Sequence, residues 1–385
     1  MDNLAHSLVG LAASKAGLEK LSPAATSICI LAANAPDLDF VSALSGNRWT
    51  VLHYHRGVTH SIAGTLVLTL IIPAMFCLGD LLISRTRGRP RRLKFGRLFL
   101  AALIAGATHP LLDWTNNYGV RPFLPWNGKW FYGDLVFVID PFIWLIFGGA
   151  AFLLTSQSKQ RRALWALLGA VLTVLVVYAA ASGRGLDHPG LVVSLWMAAL
   201  IALVVCYSRD FARRYGPSVA RAAFILMFVY LGGLGFLHSN ALARAGGAAT
   251  SLATKNHERV IKLAAMPILA NPTHWRCIAE TDQAVYRFDI YLTNSVDNTS
   301  DPVRYSKPNP AAANVISRTA QDRRAQMFFE FARFPVERLV GDCATQTLVQ
   351  FADLRYTEPG KSRGNFSLEL PVDCYGETLG TTNGR

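Results

Sequence analysis

"IAGTLVLTLIIPAMFCLGDLLI", residues 62–83, carries a single ionisable side chain, Asp80, in a run as long as the roughly 20 residues that cross a hydrocarbon core. It predicts a membrane-spanning helix. Comparable runs follow at 97–113, 135–155, 163–182, 190–207 and 222–238. The composition agrees. The chain is 51% hydrophobic and 16% charged, against about 25% charged in average globular proteins, and its mean hydropathy is +0.27. The fold class expected is mainly α: a polytopic helical membrane bundle (1–240) followed by a small extramembrane α+β domain (250–385).

A net charge of +13 raises the question of nucleic acid, and the placement of the charge answers it. Residues 1–238 hold 21 Lys/Arg against 10 Asp/Glu, whereas 239–385 hold 17 against 15. The excess concentrates in "RTRGRPRRLKFGR" (85–97), "SQSKQRR" (156–162) and "SRDFARRYGPSVAR" (208–221), while the alternating loops 114–134 and 183–189 carry only Arg121, Lys129 and Arg184. Basic loops on one side of a membrane are the positive-inside pattern, so these three are cytoplasmic and no nucleic-acid partner is implied. Counting spans then puts 35–61, 114–134 and the tail from 239 on the outer face, periplasmic in a bacterium.

Residues 3–34 read as a short helical hairpin, with Ser22-Pro23 opening its second arm; a tilted spanning pair and a re-entrant hairpin both fit. Lys15 and Lys20 follow the first apolar stretch, which is not the order of a signal peptide. In the tail, "RCIAETDQAVYRFDIYLTN" and "NFSLELPVDCYGETLG" alternate as strands do, and "RTAQDRRAQMFFEFARF" has helical character. Cys29, Cys77 and Cys206 read as small core residues. Cys277, Cys343 and Cys374 sit where one disulfide could form, with the pairing open.

Four groups of metal-type ligands converge on the outer face under this topology: His6; Asp37 and Asp39 in "NAPDLDF"; "HYHRGVTHS" (53–61); and His109 with Asp113 in "THPLLDW", four apart and so on one helix face. Ionisable residues at membrane depth are expensive and tend to be functional. Imidazole mixed with carboxylate suits zinc, manganese or iron. Seven or more donors exceed one tetrahedral shell, so two ions are expected, an arrangement suited to displacement at phosphorus.

"LAHSLVG", "PDLD", "HRGVTHS" and "HPLLDWTNNYGV" occur in an order and spacing that resembles the YdjM-like family of inner-membrane proteins, for which metal-dependent hydrolysis has been inferred. The resemblance covers roughly residues 1–160. It implies a metal cofactor and a membrane-bound hydrolase, and names no substrate. The positions it carries over are His6, Asp37, Asp39, His55, Arg56, Thr59, His60, Ser61, His109 and Asp113.

Roles follow from chemistry. His6, Asp37, Asp39, His60, His109 and Asp113 are expected to ligate metal. His55 would ligate or act as a general acid, and His53 would do neither. Arg56 offers a planar fork for phosphate or carboxylate, or snorkels to headgroups. Gly57 would allow a tight turn. Thr59 and Ser61 orient ligands or cap the next helix. Asp134 and Asp140 form a further layer, with Asp140 holding a ligand histidine. Asp80, near the cytoplasmic end of its span, pairs with the basic loop. The expected activity is metal-activated water attacking an ester, with a phosphoester of a lipid or envelope component favoured. The competing class is a transporter or envelope-binding scaffold with a structural metal.

Overall fold

The computed structural model describes residues 1–182, 188–293, 301–341, 347–360, 366–373 and 375–379. Arg184, Cys343 and Cys374 lie outside them. Among the described residues, six segments are long and apolar enough to cross a membrane: 25–45, 62–87, 95–114, 159–181, 189–208 and 218–255. The chain is therefore a multi-pass membrane protein with a small sheet-bearing region after its helices.

The hairpin is α1 (Asn3–Lys15) and α2 (Ala25–Asn34). The second arm continues as a 3₁₀ segment over Ala35–Ser45, which carries Asp37 and Asp39. The two arms approach closely because residue 10 is glycine: a Cβ there would lie 2.7 Å from the Cys29 carbonyl oxygen. After α3 (Arg48–Tyr54), the quoted run becomes α4 (Ile62–Arg87). Ser61 Oγ caps it by accepting from the Gly64 amide at 3.0 Å, and left-handed Gly88 (φ 59°) ends it. Beyond that end, Asp80 accepts from the Arg92 and Leu93 amides and pairs with Arg89 at 3.2 Å, which fixes the basic loop.

α5 (Phe95–Trp114) returns, and α2 and α5 share an alanine-rich core around Ile28, Cys29, Ala101 and Ala105. Next comes a departure from the expected spans. Residues 135–140 are not helical; α6 covers only Pro141–Thr155. Asp140 is the cause. Its Oδ1 accepts from the Phe142 and Ile143 amides at 2.8 and 3.1 Å, with Pro141 at the first helical position, so the helix begins there. Residues 115–136 form an irregular layer closed by bridges Asn116–Val136 and Val120–Phe131.

α7 (Lys159–Ala181), α8 (Pro189–Ser208), the short α9 (Phe211–Tyr215) and α10 (Ser218–Lys255) complete the helices. Phe147, Trp144, Leu172, Trp196 and Met227 pack with Leu8 and Val9 of α1 in the second core. α10 runs through Gly246-Gly247 to Lys255, well past the expected end at 238, so residues 250–255 are helical.

The tail holds a sheet in the order β1 (Val260–Ile268), β2 (Asn271–Thr281), β3 (Ala284–Tyr291), β4 (Val303–Ser306), with β2/β3 and β3/β4 antiparallel. α11 (Pro310–Thr319) and α12 (Arg323–Phe331) follow; the helix read over 318–334 is α12, which starts only at Arg323 with Asp322 as its cap, and α11 lies almost wholly before that stretch. An antiparallel sheet β5 (Pro335–Val340), β6 (Thr347–Asp353), β7 (Ser367–Val372) ends the described chain. Cys277 is buried with a free thiol.

Two compact units emerge, and their boundary differs from a simple division near 240. One comprises 1–38, 56–237 and 267–272; the other comprises 39–55, 238–266 and 273–385. The segment 39–55 thus belongs with the tail. Within that unit α3 buries Trp49 and Leu52, His53 Nδ1 lies 2.6 Å from Glu330 Oε2 of α12, and Arg48 donates to the Ser367 carbonyl at 3.3 Å.

Candidate metal centre

Five of the six expected ligands fall in one cluster of the helical unit. His6 comes from α1, Asp37 from the 3₁₀ continuation of α2, His60 from the turn before α4, and His109 and Asp113 from one face of α5. The three imidazoles are inaccessible to solvent, as is almost all of Asp113. His6 stacks on His109 with ring centroids 3.7 Å apart, and His60 meets His109 edge-on at 4.8 Å.

Four atoms face one another. His60 Nε2 and His109 Nε2 are 3.0 Å apart. Asp37 Oδ1 lies 3.3 and 3.6 Å from them, and Asp113 Oδ2 lies 3.3 and 3.5 Å. A tetrahedral shell with metal–ligand bonds of about 2.0–2.2 Å has donor atoms about 3.3–3.6 Å apart, the edge of the tetrahedron. The spacing fits.

Proton bookkeeping points the same way. His109 Nδ1 sits 2.7 Å from the Ala33 carbonyl and must carry the hydrogen it donates there, so Nε2 of the neutral ring is a lone pair. That lone pair and two carboxylate oxygens are all acceptors, and neutral His60 can give at most one proton from Nε2. Both nitrogens of His6, Asp37 Oδ2 and Asp113 Oδ2 are buried without a hydrogen-bond partner. Buried acceptors that outnumber donors need positive charge among them, supplied by protons on the imidazoles or by a divalent cation.

The surroundings hold this set in place. Thr59 Oγ1 lies 3.2 Å from His60 Nδ1, and Ser61 donates to the Val58 carbonyl at 2.7 Å while capping α4. Gly64 permits that turn to rest on α4, since a Cβ there would come 1.8 Å from the Val58 oxygen. The residue in the left-handed conformation is Arg56 (φ 54°) and not Gly57, whose φ is −80°.

Arg56 differs from expectation in a second way. It is neither at a lipid headgroup nor presented to a ligand: it is 2% exposed, with its fork turned to protein acceptors. Nη2 donates to Asp113 Oδ1 at 3.0 Å; Nη1 donates to Asn116 Oδ1 and the Gly119 carbonyl at 3.0 Å and to the Asp113 carbonyl at 3.3 Å. The guanidinium also covers the Tyr118 ring, 4.6 Å from its centroid. It orients Asp113. The N-terminal amine of Met1 pairs with the same oxygen, Asp113 Oδ1.

Asp39 and His55 belong to the other unit. In the tail-bearing unit they pair with each other, Asp39 Oδ1 lying 3.2 Å from His55 Nδ1, with His55 27% exposed at its side chain. Asp140 holds no histidine. It caps α6 and accepts from the Tyr230 hydroxyl at 2.8 Å. Asp134 lies buried in the irregular layer with φ 53° instead of starting a helix. Sequence reasoning did not reach Ala33, Asn116 or Tyr230. The first acts through its backbone and leaves no residue-type signal, whereas Asn116 stood in the motif "HPLLDWTNNYGV".

Comparisons with known proteins agree with the helical part. The uncharacterized protein YfhP of Bacillus subtilis (strain 168) is 32% identical over 155 residues, which is 38% of this chain; the match spans 43% of the length of that protein. No solved structure matches. Residues 1–183, which include every residue of the buried cluster, match the model of the YdjM inner membrane protein family.

Proposed function

We propose that this chain is a membrane-bound, metal-dependent hydrolase in which water attacks an ester, with a phosphoester of a lipid or envelope component as the favoured substrate. One observation carries the proposal: Asp37 Oδ1 and Asp113 Oδ2 each lie 3.3–3.6 Å from both His60 Nε2 and His109 Nε2, with too few protons among the four to satisfy one another. Zinc and manganese suit the mixed donors. A divalent cation held there supplies Lewis acidity toward an ester oxygen and toward water. Each imidazole offers one lone pair and serves one ion, so Asp37, with Oδ2 unbonded, is the carboxylate able to share a second.

The chain's own residues set up the rest. Ala33 fixes the His109 tautomer, Thr59 steadies His60, and Arg56 holds Asp113. His55 is the proposed general acid. Asp39 commits its Nδ1 as a donor, so Nε2 is the nitrogen that transfers a proton to the leaving group. The tail is proposed to lie on the outer face, where a reporter fused after residue 256 would report an extracytoplasmic location.

The near-complete burial of the shell favours a second reading, a closed structural metal. Metal analysis of purified wild type and His60→Ala, together with hydrolysis of a generic phosphodiester and phosphomonoester, separates the two. Hydrolysis with about one to two equivalents of metal, both lost in His60→Ala, supports the enzyme. Metal without hydrolysis of any ester supports the structural role, and absence of metal removes both.

A further inference from the structure

Between α1, α6, α7 and α8 lies a cavity of about 590 Å³, distinct from the metal cluster. Its walls include Trp144, Gly148, Gly149, Trp165, Gly169 and Trp196. α6, which forms one of its walls, is short. At 1.5 Å per residue its 15 residues extend about 22 Å, against roughly 30 Å of hydrocarbon. Of its glycines, Gly148 and Gly149 let Leu8 and Leu203 approach closely, and Gly169 leaves its wall open.

Nothing in the cavity invites water. The three indole N–H groups are all committed within the protein: Trp144 to Asp2 at 3.1 Å, Trp165 to the Thr155 hydroxyl at 2.8 Å, and Trp196 to the Thr173 hydroxyl at 2.9 Å. Thr173 spends its own hydrogen on the Gly169 carbonyl at 2.7 Å. The pocket is open on one side; for scale, an enclosed apolar cavity of about 150 Å³ accommodates a benzene ring, or about 25 Å³ per carbon. By that measure 590 Å³ holds a chain of about 16 to 18 carbons with room to spare. α7 and α8 are both candidate membrane spans, so the apolar medium around them is bilayer hydrocarbon.

We infer that this cavity is a binding site for one acyl chain of a bilayer phospholipid, retained as part of the folded protein. The inference is independent of the hydrolase reading. Its test exploits Gly169, where an added Cβ meets no atom within 4 Å and a larger side chain enters the void. Wild type, Gly169→Ala, Gly169→Leu and Gly169→Trp are purified from membranes in mild detergent, and bound lipid is counted by native mass spectrometry and lipid extraction.

About one phospholipid per chain is expected in wild type and Gly169→Ala, less in Gly169→Leu, and at least a fivefold loss in Gly169→Trp, with metal content equal in all four. Should Gly169→Trp fail to accumulate, the Ala-to-Leu decrease decides. Equal lipid in wild type and the larger variants, no lipid in wild type, or recovery of an occupant without an acyl chain, such as a quinone, overturns the assignment.

Discussion

Arg56→Lys keeps the charge and removes the shape, which makes it the sharpest test of how Asp113 is held. The guanidinium reaches four acceptors through two nitrogens: Asp113 Oδ1, the Asp113 carbonyl, Asn116 Oδ1 and the Gly119 carbonyl. A single ammonium on a flexible stem cannot span them. Losing two bonds to a charged donor is worth about 1.5–3 kcal/mol each. Losing the contact with the Tyr118 face adds about 0.5–2 kcal/mol. The expected destabilisation is about 3.5–8 kcal/mol, which at about 2–4 °C per kcal/mol lowers Tm by roughly 10–30 °C. Lysine shares the backbone preferences of arginine, so the left-handed φ of residue 56 is not what the substitution tests. The measurement is thermal unfolding in detergent with a chelator present, run as a double-mutant cycle with Asp113→Asn. A coupling of about 1–3 kcal/mol is expected for groups in direct contact. Stability of Arg56→Lys within about 1 kcal/mol of wild type, or strictly additive effects in the cycle, would refute the assignment of Arg56 to Asp113.

Two further outcomes follow from particular contacts. Gly64→Ala drives a Cβ to 1.8 Å from the Val58 oxygen. Since that contact is backbone, the turn bearing His60 must shift; a loss of about 3 kcal/mol or more and reduced metal retention are expected, checked by unfolding and metal analysis. Glu258 in the tail is buried, which opposes ionisation, but it accepts from Arg304, Thr281 and Tyr286, and these bonds hold its pKa below the ordinary 4.5. A depressed carboxylate pKa contributes stability above the unfolded value that is lost as pH falls through the folded one. The tail of wild type should therefore weaken as pH drops below about 4.5, followed by tryptophan fluorescence, and Glu258→Gln should flatten that dependence while lowering stability at pH 7.

Much of the helical part was legible because a bilayer leaves few ways to arrange an apolar run. The run at 62–83 is helix α4 with about one extra turn, and the basic loop that follows it is fastened by the carboxylate, Asp80, that interrupts the run. α6 was read too long because the apolar residues of 135–139 continue its character without being helical. The Asp140-Pro141 pair, a good N-cap and first-turn proline, was the signal that outranked hydropathy. Asp37 and Asp39 made 25–45 look like an interrupted arm, although it is apolar enough overall to be a candidate span. The ligand types were visible because ionisable groups are scarce in such a chain. What could not be read was the sorting of neighbours: Asp37 from Asp39 and His60 from His55 depend on contacts, not spacing. Arg56 looked available to a ligand because its partners include two carbonyl groups, which no residue pattern announces.

The inclusion of α3 in the tail-bearing unit has a consequence for biosynthesis. His53 and Glu330 are 277 positions apart. At roughly 5–20 residues per second a ribosome needs roughly 14–55 s to deliver the second after the first. Until then Trp49 and Leu52 have no surface to bury against within their own unit, although the membrane helices on either side of them are already made. For most of its synthesis the nascent chain therefore carries the segment between Asp37 and Arg56 without its contacts to α12. Completion of the last domain is what supplies them.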